Sequence, residues 1–299
     1  MEQTLPFLIL LLAGQGCRWL AVFPADTDRS LNLYVIYLAL PALILDRVPG
    51  LDFSTSVLVP VLMPWLVVFC SAGLVYALAK LLHWDRETTG ALLLMVPLGN
   101  TSFLGIPMVE QYFGGGAVRY ALLYDQFGSF LALSTYGTVI LALYGTGEKQ
   151  TLASVLKKIL LFPPFMALMV ALFLPVGAVP GWVDRLLETT ASSLVPVVLV
   201  AIGFQVQILL PRRELIPFGA GLLLRLLVVP LLFLYLCRLL GLSGTAVRVA
   251  IFETGMPPMV TAGAMASIAG LKPRLTSAMV GLGILIAFGT LPLIYSWSG

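Results

Sequence analysis

Apolar residues along this chain come in long runs, separated by short polar interruptions rather than alternating with them. A helix needs about 20 mostly apolar residues to cross a bilayer. Runs of that kind fall at about 4–23, 30–48, 57–81, 88–112 and 118–144, and then at about 153–174, 183–207, 215–240, 245–269 and 275–296. The longest interior interruption is Gly145-Thr-Gly-Glu-Lys-Gln-Thr151, between the fifth and sixth runs. The pattern predicts an all-α integral membrane protein of ten transmembrane helices, divided into five-helix repeats at 1–150 and 151–299. The first run reads as a span and not a cleaved leader, because Met1-Glu2-Gln3 carries no basic residue and no small-residue cleavage site follows.

Five is odd, so a second set of five enters the membrane with the opposite orientation, and homologous halves would be inverted repeats. The halves echo each other. Pro41 in Leu-Ala-Leu-Pro-Ala-Leu-Ile-Leu is matched by Pro196 in Ser-Leu-Val-Pro-Val-Val-Leu, and Asn100 to Pro107 by Thr254 to Pro258, at nearly the same offset.

Composition narrows the picture. Of 299 residues, 60% are hydrophobic and 10% charged, and the mean hydropathy is +1.02. Soluble domains are about 45–50% apolar and ~25% charged, so lipid must be part of the solvent. This argues against a cytosolic enzyme, a nucleic-acid partner and a secreted disulfide scaffold. Cys17, Cys70 and Cys237 stand apart inside or at the ends of apolar runs, and His83 is the only histidine, so no metal framework is expected. Basic residues near the run ends are unequal. One side takes Arg18, Arg29, Lys80, Arg86, Lys149, Lys157, Lys158, Arg212, Arg213, Lys272 and Arg274, the other Arg47, Arg119, Arg185, Arg238 and Arg248. The richer side should be cytoplasmic, which places both termini outside a bacterial inner membrane.

Two runs look broken. Between Pro97 and Pro107 stand Gly99, Gly105 and the polar triplet Asn100-Thr101-Ser102. Proline removes a backbone donor and clashes with the preceding turn, and glycine is costly in a helix interior. The ninth run breaks similarly at Glu253-Thr254-Gly255-Met256-Pro257-Pro258. Unwound backbone at membrane depth is tolerated only inside protein or along a watery cavity, and paired interruptions mark the midplane site of inverted-repeat transporters. The breaks supply the expected substrate contacts: Asn100, Thr101, Ser102, Gly105, Pro107, Thr254, Gly255, Pro257 and Pro258. The structural alternative is a pair of kinked packing helices.

Asn100 to Pro107 resembles the Gly-Asn-Thr-Gly-x-x-Gly-x-Pro signature of the auxin efflux carrier family. Leu31-Asn32, Ala39-Leu40-Pro41-Ala42-Leu43, Pro163-Pro164 and Met256-Pro257 fit the same pattern, and the resemblance covers essentially the whole chain. It implies a fold like that of bile-acid/sodium symporters and sodium/proton antiporters, with a scaffold from 1–56 and 152–210 and a transport domain from 57–145 and 211–299. The fourth and ninth spans would cross within the transport domain, and a homodimer would form through the scaffold. The short central loop departs from the long one of many plant carriers, which points to a compact prokaryotic member with a substrate other than auxin.

Charges inside spans are costly and usually functional. Glu253, Asp125 and Ser129, with Asn100 and Thr101, are the ion-coupling candidates. Glu253, Asn100, Thr101 and Ser129 would give hard oxygen ligands for a sodium ion, or Glu253 would carry a proton. Arg225 is either the partner of an anionic substrate or a structural counter-ion for Glu253. The sequence thus predicts a secondary transporter of small organic anions, working by alternating access without a cofactor beyond a coupling Na⁺ or H⁺. A sodium- or proton-coupled symporter or exchanger with other substrates is the nearest alternative. A transporter-like receptor or channel, and an intramembrane enzyme, stand further off: neither Asp125 nor Glu253 sits in a Gly-x-Gly-Asp motif.

Overall fold

A computed structural model of the chain describes residues 5–21, 23–49, 57–146, 151–175, 177–205 and 214–299. Met1 to Gln3, Lys149 with most of the central interruption, and Arg212-Arg213 lie outside the described residues. Among the described residues the regular structure is helical throughout, with no strand. In chain order the helices are α1 (Leu5–Trp19), α2 (Thr27–Arg47), α3 (Leu58–Leu81), α4 (Arg86–Met95), α5 (101–113) and α6 (Gly115–Tyr144). There follow α7 (Leu152–Leu160), α8 (Pro163–Phe173), α9 (Gly181–Gln205), α10 (Leu215–Leu239), α11 (Thr245–Thr254), α12 (Val260–Ile268) and α13 (Pro273–Trp297).

Six of these, α2, α3, α6, α9, α10 and α13, are long and apolar enough to cross a membrane, and α7 with α8 makes a seventh if the bent pair is one span. Their outward faces are apolar: Phe69 on α3 is 62% exposed and Phe173 on α8 86%. Such exposure has no place in water and is ordinary against lipid tails. The sequence predicts a continuous sixth span, but α7 and α8 meet at 58°. The cause is local. Pro163 pushes Phe162 out of the helical region to an extended ψ of 118°, so the chain turns before α8 begins.

The proline pattern has a second effect that run-counting misses. Three turns widen to π-helix, at Val35–Ala39, Thr101–Gly105 and Leu224–Val228, each two residues before a proline: Pro41, Pro107 and Pro230. A proline ring crowds the carbonyl four residues back and offers it no donor, so one extra residue is taken into the turn. Proline alone does not force this, since Pro64 and Pro292 lie in regular α-helix. Tyr124–Phe130 and Leu133–Gly137 in α6 are also π-helical, without such a proline.

Close approach of α1 and α9 depends on two glycines. A Cβ on Gly14 would run into the Val200 carbonyl, and one on Gly203 into the Leu11 carbonyl. Small residues let membrane helices pack backbone to backbone. Arg18 adds a 2.9 Å bond to the Phe204 carbonyl, and Tyr34 on α2 bonds Ser193 on α9 at 2.7 Å. A second body forms where α3 packs on α6 and α11, with the Trp65 indole donating to the Phe127 carbonyl at 3.0 Å. The Gly128 backbone lies directly on the Pro64 ring.

Candidate functional site

Helix α4 stops at Met95 and α5 starts at Thr101, while α11 stops at Thr254 and α12 starts at Val260. The two gaps lie side by side. The Asn100 amide donates to the Pro257 carbonyl at 2.8 Å and the Met259 amide to the Leu98 carbonyl at 3.0 Å, an antiparallel bridge centred on Gly99 and Pro258. Unwound backbone at depth must satisfy its own polar groups, and here each break partly satisfies the other. Pro257 and Pro258 carry no amide hydrogen, so the pairing falls to Met259 and to the Pro257 carbonyl.

The positive ends of the second halves face a cavity. Asn100, Ser102 and Phe103 at the start of α5, and Met259 and Thr261 at the start of α12, line a space of about 170 Å³. Ile36 and Leu40 from α2, Asp125, Phe130 and Leu133 from α6, and Phe162 from the α7–α8 corner complete it. Asn100 is 2% exposed, and its side-chain amide nitrogen has no hydrogen-bond partner. Unpaired first-turn amides and the helix dipole both favour negative charge at such ends. Phe130 and Phe162 stack at 4.1 Å between ring centroids and make the wall on that side aromatic.

The negative ends of the first halves face Arg225. This residue sits in the π turn of α10, 1% exposed, and donates through Nε to the Met256 carbonyl at 2.7 Å. Its Nη1 reaches the Val96 carbonyl at 3.1 Å and the Pro97 carbonyl at 3.4 Å. Gly99 makes room, since a Cβ there would collide with the guanidinium. Arg225 forms no ion pair with Glu253 and does not line the cavity.

The two buried acids differ. Asp125 accepts from the Thr101 and Ser102 hydroxyls, each at 2.5 Å, and from the Gln126 amide at 2.7 Å. Glu253 is fully buried against Gly105, where any Cβ would strike its carboxyl group, and neither of its oxygens has a hydrogen-bond partner. Thr101 is therefore committed to Asp125 and not to Glu253. Ser129 is buried in the π turn Tyr124–Phe130 without a bond to either acid. The Thr254 hydroxyl turns back to the Ile251 carbonyl at 2.5 Å, and Gly255 admits the Ile294 side chain. Pro107 stands in the first turn of the α-helical part of α5.

Asn100 and Ser102 thus stand at the cavity, Pro257 and Pro258 join the breaks, and Gly105 makes room for Glu253. Sequence reading missed Thr261, Phe130 and Phe162 as cavity residues. Pro163-Pro164 was the available signal for Phe162, because it forces the corner that aims this ring inward.

At one surface Lys272 pairs with Asp85 at 2.9 Å and Glu87 at 3.6 Å, tying the loop after α12 to the start of α4. Partial burial works against the Asp85 charge. The Thr88 amide it caps, and the Lys272 ammonium, outweigh this and hold its carboxyl below the usual value. The bond to Asp85 raises Lys272 in turn.

A family profile described as "Membrane transport protein" matches residues 1–295. The chain is similar to an uncharacterized transporter of Methanothermobacter thermautotrophicus, 26% identical over 301 residues that cover 99% of this chain and 97% of the relative. It is also similar to an uncharacterized transporter of Methanocaldococcus jannaschii, 27% identical over 271 residues, or 86% of this chain and 85% of the relative.

Proposed function

We propose that this chain, which belongs to the membrane transport protein family, is a secondary active transporter that moves small organic anions by alternating access. One observation carries the reading: two helix N-termini and the unpartnered side-chain amide of Asn100 open on one cavity, which no basic side chain lines. Helix ends and one neutral donor hold an anion without the deep well of a lysine or arginine, and a carrier must also release its cargo. Asp125 lines the same cavity and accepts three hydrogen bonds from the protein, from Thr101, Ser102 and Gln126. The aromatic wall of Phe130 and Phe162 suits the apolar body of an organic acid.

In this reading α1, the broken pairs α4–α5 and α11–α12, and the bent pair α7–α8 each count as a span. They bring the total to ten, as two inverted repeats with both termini outside. The α1, α2, α7, α8 and α9 group is the scaffold, through which two copies pair, and α3–α6 with α10–α13 is the transport domain. The cavity has walls from both, as alternating access requires.

A second reading, cation-coupled symport or exchange, is favoured by Glu253. A buried carboxyl with two unpartnered oxygens is suited to take up a proton or ligate a sodium ion.

Purified protein in proteoliposomes, screened for uptake of radiolabelled organic acids with and without Na⁺ and pH gradients, tests both readings. Saturable uptake of an acid, lost in Asn100→Ala, is expected. Uptake of no acid by a folded protein overturns the anion reading, and flux indifferent to both gradients overturns coupling. A thiol placed at 299 should react from outside and one at 149 should not.

A further inference from the structure

Arg225 is the most buried cation among the described residues, and neither transport reading uses it. Its acceptors are three backbone carbonyls: Val96 and Pro97 at the end of α4, and Met256 just past the end of α11. These oxygens belong to helix C-termini, where the last carbonyls have no intrahelical donor and the dipole is negative. Pro257 and Pro258 sharpen the deficit, because neither supplies an amide hydrogen. Two independent features fit the guanidinium to the place. Gly99 leaves room for that group, which fills the space a Cβ would need, and the π turn Leu224–Val228 of α10 holds Arg225 buried against the breaks.

We infer that the converging carbonyls of α4 and α11 form a cation-binding cage and that Arg225 is its resident, a cation supplied by the chain itself. Arg225 is a positioning residue: it holds the two breaks together and does not serve as the counter-charge of the substrate. The carrier therefore needs no free monovalent cation at this cage to keep the breaks assembled. A coupling ion, where one is used, binds elsewhere. The inference does not depend on which substrate is carried.

The test uses the detergent-solubilised full chain and reads melting temperature. Arg225→Ala is expected to melt several degrees below wild type and to recover saturably in millimolar guanidinium chloride, with choline chloride as control. Wild type should not respond at the same concentrations. Recovery with sodium chloride as well would show that the emptied cage takes small cations and would support the proposal. Arg225→Lys keeps a charge on a similar stem and should melt closer to wild type than Arg225→Met. The proposal is overturned if folded Arg225→Ala responds to neither guanidinium nor sodium beyond choline, or if Arg225→Met matches Arg225→Lys. Should Arg225→Ala fold only when guanidinium is present during purification, the cage is supported. Failure of all three variants to fold even then would overturn it.

Discussion

At the N-terminal ends of α5 and α12 the backbone opens on a cavity, whereas at the C-terminal ends of α4 and α11 it closes on a guanidinium. Both regions arise from the same two interruptions and carry unsatisfied backbone groups of opposite sign. In one, a permanent side chain meets the need. In the other the Asn100 side-chain amide nitrogen has no partner beside a cavity of about 170 Å³. The difference separates holding from binding. In the proposed transporter, a group that must always be satisfied is matched inside the chain, and one left free is matched by a substrate that comes and goes.

The sharpest way to break that contrast is to put a negative charge at the positive ends. Asn100→Asp replaces the free donor with a carboxylate and should abolish stabilisation by any organic acid that wild type binds. A hydrogen bond to a charged group contributes about 1.5–3 kcal/mol, so losing it costs roughly 10- to 150-fold in affinity, and repulsion adds to that. Titration calorimetry would measure it, and unchanged affinity would remove Asn100 from the site.

Next is Glu253→Gln, which keeps the shape and removes the charge beside both regions. The variant is expected to fold, to retain substrate binding and to lose the dependence of uptake on the ion gradient. If it stays fully gradient-responsive, coupling passes to Asp125. Because Arg225 bonds carbonyls and makes no ion pair with Glu253, adding Arg225→Met should worsen Glu253→Gln and not rescue it.

Gly105→Ala separates packing from charge. The added methyl meets the Glu253 carboxyl and should lower stability by about 1–3 kcal/mol, the usual cost of overpacking, read as a melting shift. Guanidinium should do nothing for it, since Arg225 still fills its cage.

The smallest effect lies at the surface, where Asp85→Asn removes the nearer of the two acidic partners of Lys272. The Asp85 carboxyl is depressed in the folded chain, so its contribution is present above the unfolded value of ~3.9 and fades as pH falls through the lower folded one. Asp85 is exposed and Lys272 half-buried, so solvent screens the pair and the loss should stay below ~1 kcal/mol. Melting curves between pH 7 and pH 3 should show the wild-type advantage over Asp85→Asn shrinking toward the acid end.

Much of this was legible in the chain. Long apolar runs announced membrane helices, and Pro97 to Pro107 and Glu253 to Pro258 announced two breaks, because glycine and proline act locally. The family followed from the Asn100 to Pro107 motif and is shown by the match over residues 1–295. What the sequence hid is set by packing between distant segments. Arg225 read equally well as a substrate contact or as a counter-ion of Glu253, and its carbonyl partners depend on where the breaks meet. Of the oxygens expected around one sodium ion, the Thr101 hydroxyl bonds Asp125, while the Glu253 carboxyl has no hydrogen-bond partner, a division that only packing sets. The bend before Pro163 was visible as a proline pair but not as a cavity wall, because Phe130 lies 32 residues earlier.

The bridge between Leu98–Asn100 and Pro257–Met259 has a mechanical consequence. Two backbone bonds in antiparallel register resist both sliding and rotation, so the broken spans behave as one lever with a shared pivot and not as two independent hinges. Any displacement that lifts one half-helix carries the other, and both cavity-facing ends travel as a unit. Under the proposed alternating access, the geometry around a bound guest would then be preserved while its surroundings change.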